Sequence, residues 1–156
     1  MTESPLGNIL LEADAKGITA VQFSWLEDVP TETSNTTLNQ CAQELHEYFV
    51  DKRMFFTVPL SLNGTDFQMK VWEELQNIPF GEPCTYLKIA QKLGDKKVIR
   101  AAASANGKNP IAIIVPCHRV IGTNGDLVGY AGGLDKKKWL LEHEGALHKG
   151  QLNLFG

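Results

Sequence analysis

The chain has 156 residues, 43% hydrophobic and 21% charged, which suffices to bury a core in one domain or two small ones. No apolar run approaches the roughly 18 residues of a membrane span, and Met1-Thr2-Glu3-Ser4-Pro5 lacks the basic and apolar regions of a signal peptide. Cys41, Cys84 and Cys117 are odd in number and widely spaced, which disfavours a disulfide framework, suits a reducing compartment and, without a CxxC or Cys/His cluster, argues against a structural zinc site.

The net charge of −3 hides a segregation. Residues 1–60 hold nine acids and three bases, whereas residues 86–119 carry Lys88, Lys92, Lys96, Lys97, Arg100, Lys108 and Arg119 against Asp95 alone. Such a block is either a polyanion-facing surface or a solvated face.

In chain order, Asn8–Ala13 and Ile18–Trp25 flank the turn Asp14-Ala15-Lys16-Gly17 and predict a β-hairpin. Val29 to Asn35 is polar, contains Pro30 and reads as a loop. Leu38, Cys41, Ala42, Leu45, Tyr48 and Phe49 recur at three- and four-residue steps, predicting a helix over 37–50 with Cys41 in the core. Met54 to Leu60 is a further strand candidate. Residues 1–62 therefore read as an acidic α/β scaffold domain with an antiparallel sheet, carrying no constellation of reactive groups.

Asn63-Gly64 marks a boundary, and residues 63–156 read as a second, mostly helical domain. Thr65 or Asp66 caps a helix with Phe67, Val71, Trp72 and Leu75 on its apolar face. Thr85 caps a short helix through Leu93, and Asp95 a third through Ala105 or Asn106, each closed by a glycine. That rhythm predicts a helix-turn-helix. Ala101-Ala102-Ala103-Ser104-Ala105 gives the third helix a thin face, with Lys96, Lys97 and Arg100 at its positive end. Either the face awaits phosphates or its alanines pack against a neighbour.

Ile111-Ala112-Ile113-Ile114-Val115 is the length and composition of a buried strand, and Pro116 stops it before Cys117-His118-Arg119-Val120. A thiol beside an imidazole is the pairing of an activated nucleophile. Thr123 to Asp126 reads as a turn, and Val128 to Gly133 as a glycine-rich loop able to line a pocket. Leu134 to Glu144 reads as a helix with Trp139, Leu140 and His143 on one side; the tail from Leu147 has no strong pattern.

At Pro116-Cys117-His118-Arg119-Val120 the chain resembles the O6-alkylguanine-DNA alkyltransferase family. Tyr86, Arg100, Asn109-Pro110, Tyr130, Gly132-Gly133 and His143-Glu144-Gly145 fall where that family has its functional residues, so the resemblance spans residues 63–145. It implies direct-reversal DNA repair: single-turnover transfer of a methyl or other alkyl group from O6-alkylguanine in duplex DNA to Cys117, with O4-alkylthymine as a second candidate substrate. It implies activation of Cys117 by His118 through a bridging water, orientation of the imidazole by Glu144, and proton donation from Tyr86 toward guanine N3. Arg100 is implied to fill the place of the flipped base, with Lys96, Lys97, Ala101, Ala105 and Arg119 at the DNA. The substrate pocket is implied to use the Cys117 and Val120 carbonyls, Tyr130, the Ala131 N–H, Gly132 and the turn held by Asn109. The expected protein is monomeric and cytoplasmic, without cofactor or metal. One departure stands out: Ala102-Ala103 replaces the family's common Val-Gly pair.

The resemblance agrees with the chemistry. A soft thiolate suits in-line attack on an alkyl carbon, and a cysteine of ordinary pKa about 8.5 needs a base at neutral pH. A base inside the stack must be flipped, costing a few kcal/mol. The thioether product has no leaving group, so the cysteine is consumed. Two alternatives remain open at this point: a cysteine hydrolase using Cys117 with His118 or His143, which would turn over, and a non-catalytic helix-turn-helix regulator.

Overall fold

The computed structural model describes residues 2–24, 33–122, 127 and 129–146, with Lys96 described in its backbone alone. The expected turn at Thr123–Asp126, the start of the loop after Ser24, Val128 and the tail from Leu147 lie outside the described residues. The fold is of mixed α/β class and falls into two compact units, Met1–Asn63 with Pro110–Ile114, and Gly64–Asn109 with Val115–Gly156. Among the described residues no helix is long and apolar enough to cross a membrane.

In the first unit, β1 (Thr2–Ser4), β2 (Gly7–Asp14) and β3 (Gly17–Ser24) form an antiparallel sheet in the order β1-β2-β3. The hairpin turns where Asp14 Oδ1 accepts from the Lys16 and Gly17 amides. A Cβ at Gly17 would collide with the Pro59 carbonyl, so the close approach requires glycine there. Helix α1 (Thr36–Phe49) is capped by the Asn35 side chain and sends Cys41, Leu45 and Tyr48 into the core with Ile9, Ile18 and Val21. Burial pushes the Cys41 thiol up to about 12, as expected of a packing residue.

Two predicted strands do not form. Met54–Leu60 pairs only at Leu60, which bridges Ile18 in parallel. The reason is Glu44: this buried carboxylate accepts from the Thr57 and Val58 amides and the Thr57 hydroxyl, taking donors a strand would need. In the run 111–115 only Ile111 pairs, with Val21. The Ile114 amide instead bonds the Ala112 carbonyl at 2.8 Å around Ile113, whose φ is 71°. That is a γ-turn of the rare, strained hand on a β-branched residue. The β-branched composition signalled burial correctly and extension wrongly.

In the second unit, α2 (Asp66–Gln76) opens with a capping box between Thr65 and Gln68. Buried Trp72 donates its indole N–H to the Ala105 carbonyl at 2.9 Å. Helix α3 (Tyr86–Lys92) is capped by Thr85, and Gly94 (φ 92°) lets the chain leave it. A 3-10 turn (Lys96–Val98) leads into α4 (Ile99–Gly107), so Asp95, whose side chain receives the Lys97 amide, caps this turn and not α4. Strands β4 (Cys84–Thr85) and β5 (Val120–Ile121) pair in parallel, which ties Cys84 to Val120. Helix α5 (Leu134–His143) starts after Gly133. Its ring stack of Trp139 on His143, 4.8 Å apart, lies on a half-buried side, while Lys137, Leu140 and Leu141 are buried.

Candidate active site and nucleic-acid interface

The approach to Cys117 is held by its neighbours' backbone. The Cys117 amide bonds the Val115 carbonyl at 2.8 Å, closing an inverse γ-turn around Pro116 (φ −81°, ψ 62°). Asn109 Nδ2 donates to the same carbonyl at 2.8 Å. Cys117–Arg119 then forms a 3-10 turn, in which successive side chains project about 120° apart. The three side chains thus leave the backbone in different directions, although all three residues are buried.

Two of the three converge on Glu144, the C-cap of α5. His118 Nε2 lies 2.7 Å from Glu144 Oε2, Arg119 Nε donates to Oε1 at 2.7 Å and Arg119 Nη2 to Oε2 at 3.0 Å. The Gly81 amide adds a fourth donor at 3.3 Å. Arg119 is fixed in turn by the Ile78 carbonyl at 2.7 Å and lies 5.7 Å from the centre of the Phe80 ring. Burial alone would push the Glu144 carboxyl up; the hydrogen bonds and charges of His118 and Arg119 outweigh it and hold the group well below the usual range. An ionised carboxylate only accepts, so His118 Nε2 carries the hydrogen. Nδ1 is then the basic nitrogen, and it is buried with no hydrogen-bond partner among the described residues. Burial, helped by the Arg119 and Lys137 charges against Glu144, lowers the His118 pKa and keeps the ring neutral.

Burial pushes the Cys117 thiol up, while a hydrogen bond from Asn109 and the charge of Lys137 pull the other way. Lys137 was not anticipated. Its side chain is wholly buried, donates to the Gly129 carbonyl at 3.2 Å and lies 5.9 Å from the centre of the Tyr86 ring. Burial lowers its pKa to about 8 against the raising influence of Cys117. The readable signal was spacing: Lys137, Leu140, Leu141 and Glu144 fall at i, i+3, i+4 and i+7.

Tyr86 is buried at the start of α3, its hydroxyl pushed up to about 12 by burial and by Cys117, with a hydrogen bond from Asn106 opposing. Asn106, also unanticipated, is buried and donates through Nδ2 to the Tyr86 hydroxyl at 3.3 Å and the Cys117 carbonyl at 3.4 Å. That carbonyl also accepts the Val120 amide, so the acceptor expected for a guanine amine already holds two donors. The Tyr130 hydroxyl is raised by burial and by the charges of Cys117 and Glu144. Val120 is buried; Ala131 is exposed and Gly132 half-buried in the turn before α5. Among the described residues no cluster of His, Cys, Asp and Glu is placed to hold a metal.

The expected DNA contacts divide. Lys97, Arg100, Ala101, Ser104 and Lys108 are exposed at helical spacing on and beside α4. Ala102 and Ala105 are buried, so part of the alanine run packs inward and Ala105 is no surface residue. Arg119, expected at the DNA, is occupied by Glu144 and Ile78 and belongs to the interior.

Residues 66–146 match the family described as 6-O-methylguanine DNA methyltransferase, DNA binding domain, and residues 1–62 its ribonuclease-like domain. The chain is 44% identical over 155 residues to the methylated-DNA–protein-cysteine methyltransferase of Methanosarcina acetivorans, covering 92% of this chain and 96% of that one. It is 41% identical over 156 residues to the constitutive enzyme of that name in Bacillus subtilis, with 94% of each covered. The crystal structure of Mycobacterium tuberculosis O6-methylguanine methyltransferase superposes with a TM-score of 0.82 at 38% identity, covering 96% of this chain and 93% of that one. The Mycobacterium tuberculosis OGT structure in complex with DNA gives 0.81 at 39%, covering 92% and 90%.

Proposed function

The chain belongs to the 6-O-methylguanine DNA methyltransferase family, and from that premise we infer that it repairs DNA by moving an alkyl group from guanine O6 to its own cysteine. Cys117 is the acceptor. The observation that carries this is the neutral, buried His118: Glu144 fixes its Nε2–H, which leaves Nδ1 as the basic nitrogen on the residue that follows the buried, protonated Cys117 in the chain.

The thiol proton passes to His118 Nδ1 through one water, of the kind that serves buried polar atoms. The thiolate then attacks the alkyl carbon in line, forming the S–C bond as the C–O6 bond breaks. The electron pair leaves with guanine, and the Tyr86 hydroxyl protonates the ring at N3. Return of the proton from imidazolium to tyrosinate restores neutrality. Lys137 stabilises negative charge on both the thiolate and the tyrosinate. The thioether is not hydrolysed, so each molecule acts once. The relatives give no support to the hydrolase or regulator alternatives.

On the DNA side, Arg100 stacks in the gap left by the flipped base, and Lys97 with the neighbouring Lys96 neutralises phosphates. Exposed Ala101 and Ser104 keep the centre of the α4 face thin enough for a minor groove only about 6 Å wide. Tyr130, Ala131, Gly132 and Val120 line the pocket, and Asn109 holds the turn before the acceptor. Residues 63–156 bind DNA and accept the alkyl group, while residues 1–62 serve as scaffold. The protein works as a cytoplasmic monomer close to the DNA.

The deciding experiment is intact-mass and peptide mass spectrometry after mixing with a duplex bearing O6-methylguanine. One methyl mass on the Cys117 peptide, with transfer stopping at one equivalent, is the expected result. Repeated turnover, or label on Cys41 or Cys84, refutes the assignment.

A further inference from the structure

We propose that Asn106 is a positioning residue of the transfer step, tying the proton donor Tyr86 to the backbone of the acceptor Cys117 through one carboxamide. This rests on the reading that Tyr86 protonates the departing guanine.

The orientation of the amide follows from chemistry. A peptide carbonyl can only accept, so the group facing the Cys117 oxygen is the Asn106 NH2, and that same nitrogen faces the Tyr86 oxygen. An N–H donated to a phenol oxygen occupies a lone pair of that oxygen and not its hydrogen. The bond therefore stabilises tyrosinate relative to tyrosine and strengthens Tyr86 as an acid, the direction opposed by burial and by Cys117. At 3.3 and 3.4 Å the two contacts are long, as resting catalytic hydrogen bonds often are before substrate tightens them.

The arrangement also has a cost that packing alone does not explain. Asn106 Oδ1 is buried with no hydrogen-bond partner among the described residues. An apolar residue of similar size would bury more cleanly, since an unsatisfied buried acceptor is destabilising. Asn106 stands in the last turn of α4, on the same side as buried Ala102 and Ala105, while Arg100 stands exposed in the first turn. The residue thus connects the helix proposed to hold DNA with both reacting partners, nucleophile and acid.

The test is a double-mutant cycle read as single-turnover rates. Wild type, Asn106→Leu, Tyr86→Phe and the double variant are each mixed with a methylated duplex, with free O6-benzylguanine and with its 8-aza analogue, whose leaving base is less basic. Asn106→Leu is expected to lose about tenfold in rate on O6-benzylguanine, to lose less on the 8-aza analogue, and to keep wild-type or higher thermal stability. In the Tyr86→Phe background the same substitution is expected to change nothing further. Asn106→Ala, which avoids any overpacking, is expected to follow the same pattern. Multiplying losses in the double variant, or equal losses on both leaving groups, overturn the coupling and leave the Tyr86 role standing. A Tyr86→Phe protein with undiminished rates overturns the acid role itself.

Discussion

His118 and Glu144 stand 26 residues apart in sequence and meet at 2.7 Å with both side chains fully buried. Because Arg119 grips the same carboxylate through two nitrogens, Glu144 orients the imidazole while its own charge is offset.

Glu144→Gln is therefore expected to slow transfer at least about a hundredfold at neutral pH, since the His118 tautomer is no longer dictated. It is also expected to cost about 3 kcal/mol by leaving Arg119 buried without its counter-charge. The sign of the acid effect follows from the depressed carboxyl: wild-type stability is full above the unfolded value of about 4.3 and falls as pH drops below it. Urea titrations between pH 7 and 3 should show a steeper loss in wild type than in Glu144→Gln. Parallel curves refute the ion pair's part in stability.

The pH dependence of transfer should reflect a depressed imidazole. Burial keeps His118 neutral below the ordinary value of about 6.5, so the rate on free O6-benzylguanine should hold to more acid pH before it falls. An acid limb centred at or above 6.5 would contradict the assignment of His118 as a buried base.

The two arginines should separate cleanly. Arg100→Ala is expected to slow duplex repair much more than transfer from free O6-benzylguanine, and to leave thermal stability unchanged. Arg119→Met is expected to lower stability by a few kcal/mol without changing the salt dependence of DNA binding. A reduced salt slope in Arg119→Met would place its charge at the DNA after all.

Lys137 predicts an alkaline signature. Its ammonium titrates at about 8 in the folded chain and about 10.4 when unfolded. Between those values the unfolded chain binds more protons, so stability rises with pH, by at most about 3 kcal/mol. Lys137→Met should remove that rise and slow transfer near pH 7. An unchanged stability profile from pH 8 to 10 would refute the buried charge.

How much of this was legible depends on how local the signal was. Thr65 and Thr85 cap helices through contacts three residues away, so the starts of α2 and α3 could be read directly, whereas Asn35, the cap of α1, reads in sequence as the end of a polar loop. The alternation in β2 and β3 was equally local. The strand predicted at 111–115 failed because its composition records burial, whereas the backbone path is set by Ile113 and Pro116 turns that no periodicity encodes. Arg119 reads in sequence as part of a basic block at the DNA because its partner Glu144 lies 25 residues on. Asn106 reads in sequence only as a helix end, though it continues the i, i+3, i+4 buried set of Ala102 and Ala105.

The indole of Trp72 donates to the Ala105 carbonyl near the end of α4, the helix whose other face is proposed to meet DNA. An indole is a fluorophore whose emission shifts with its polarity and hydrogen bonding. With Trp25 and Trp139 replaced by phenylalanine, Trp72 becomes a built-in optical gauge of how α4 is seated, readable in stopped flow without any attached dye.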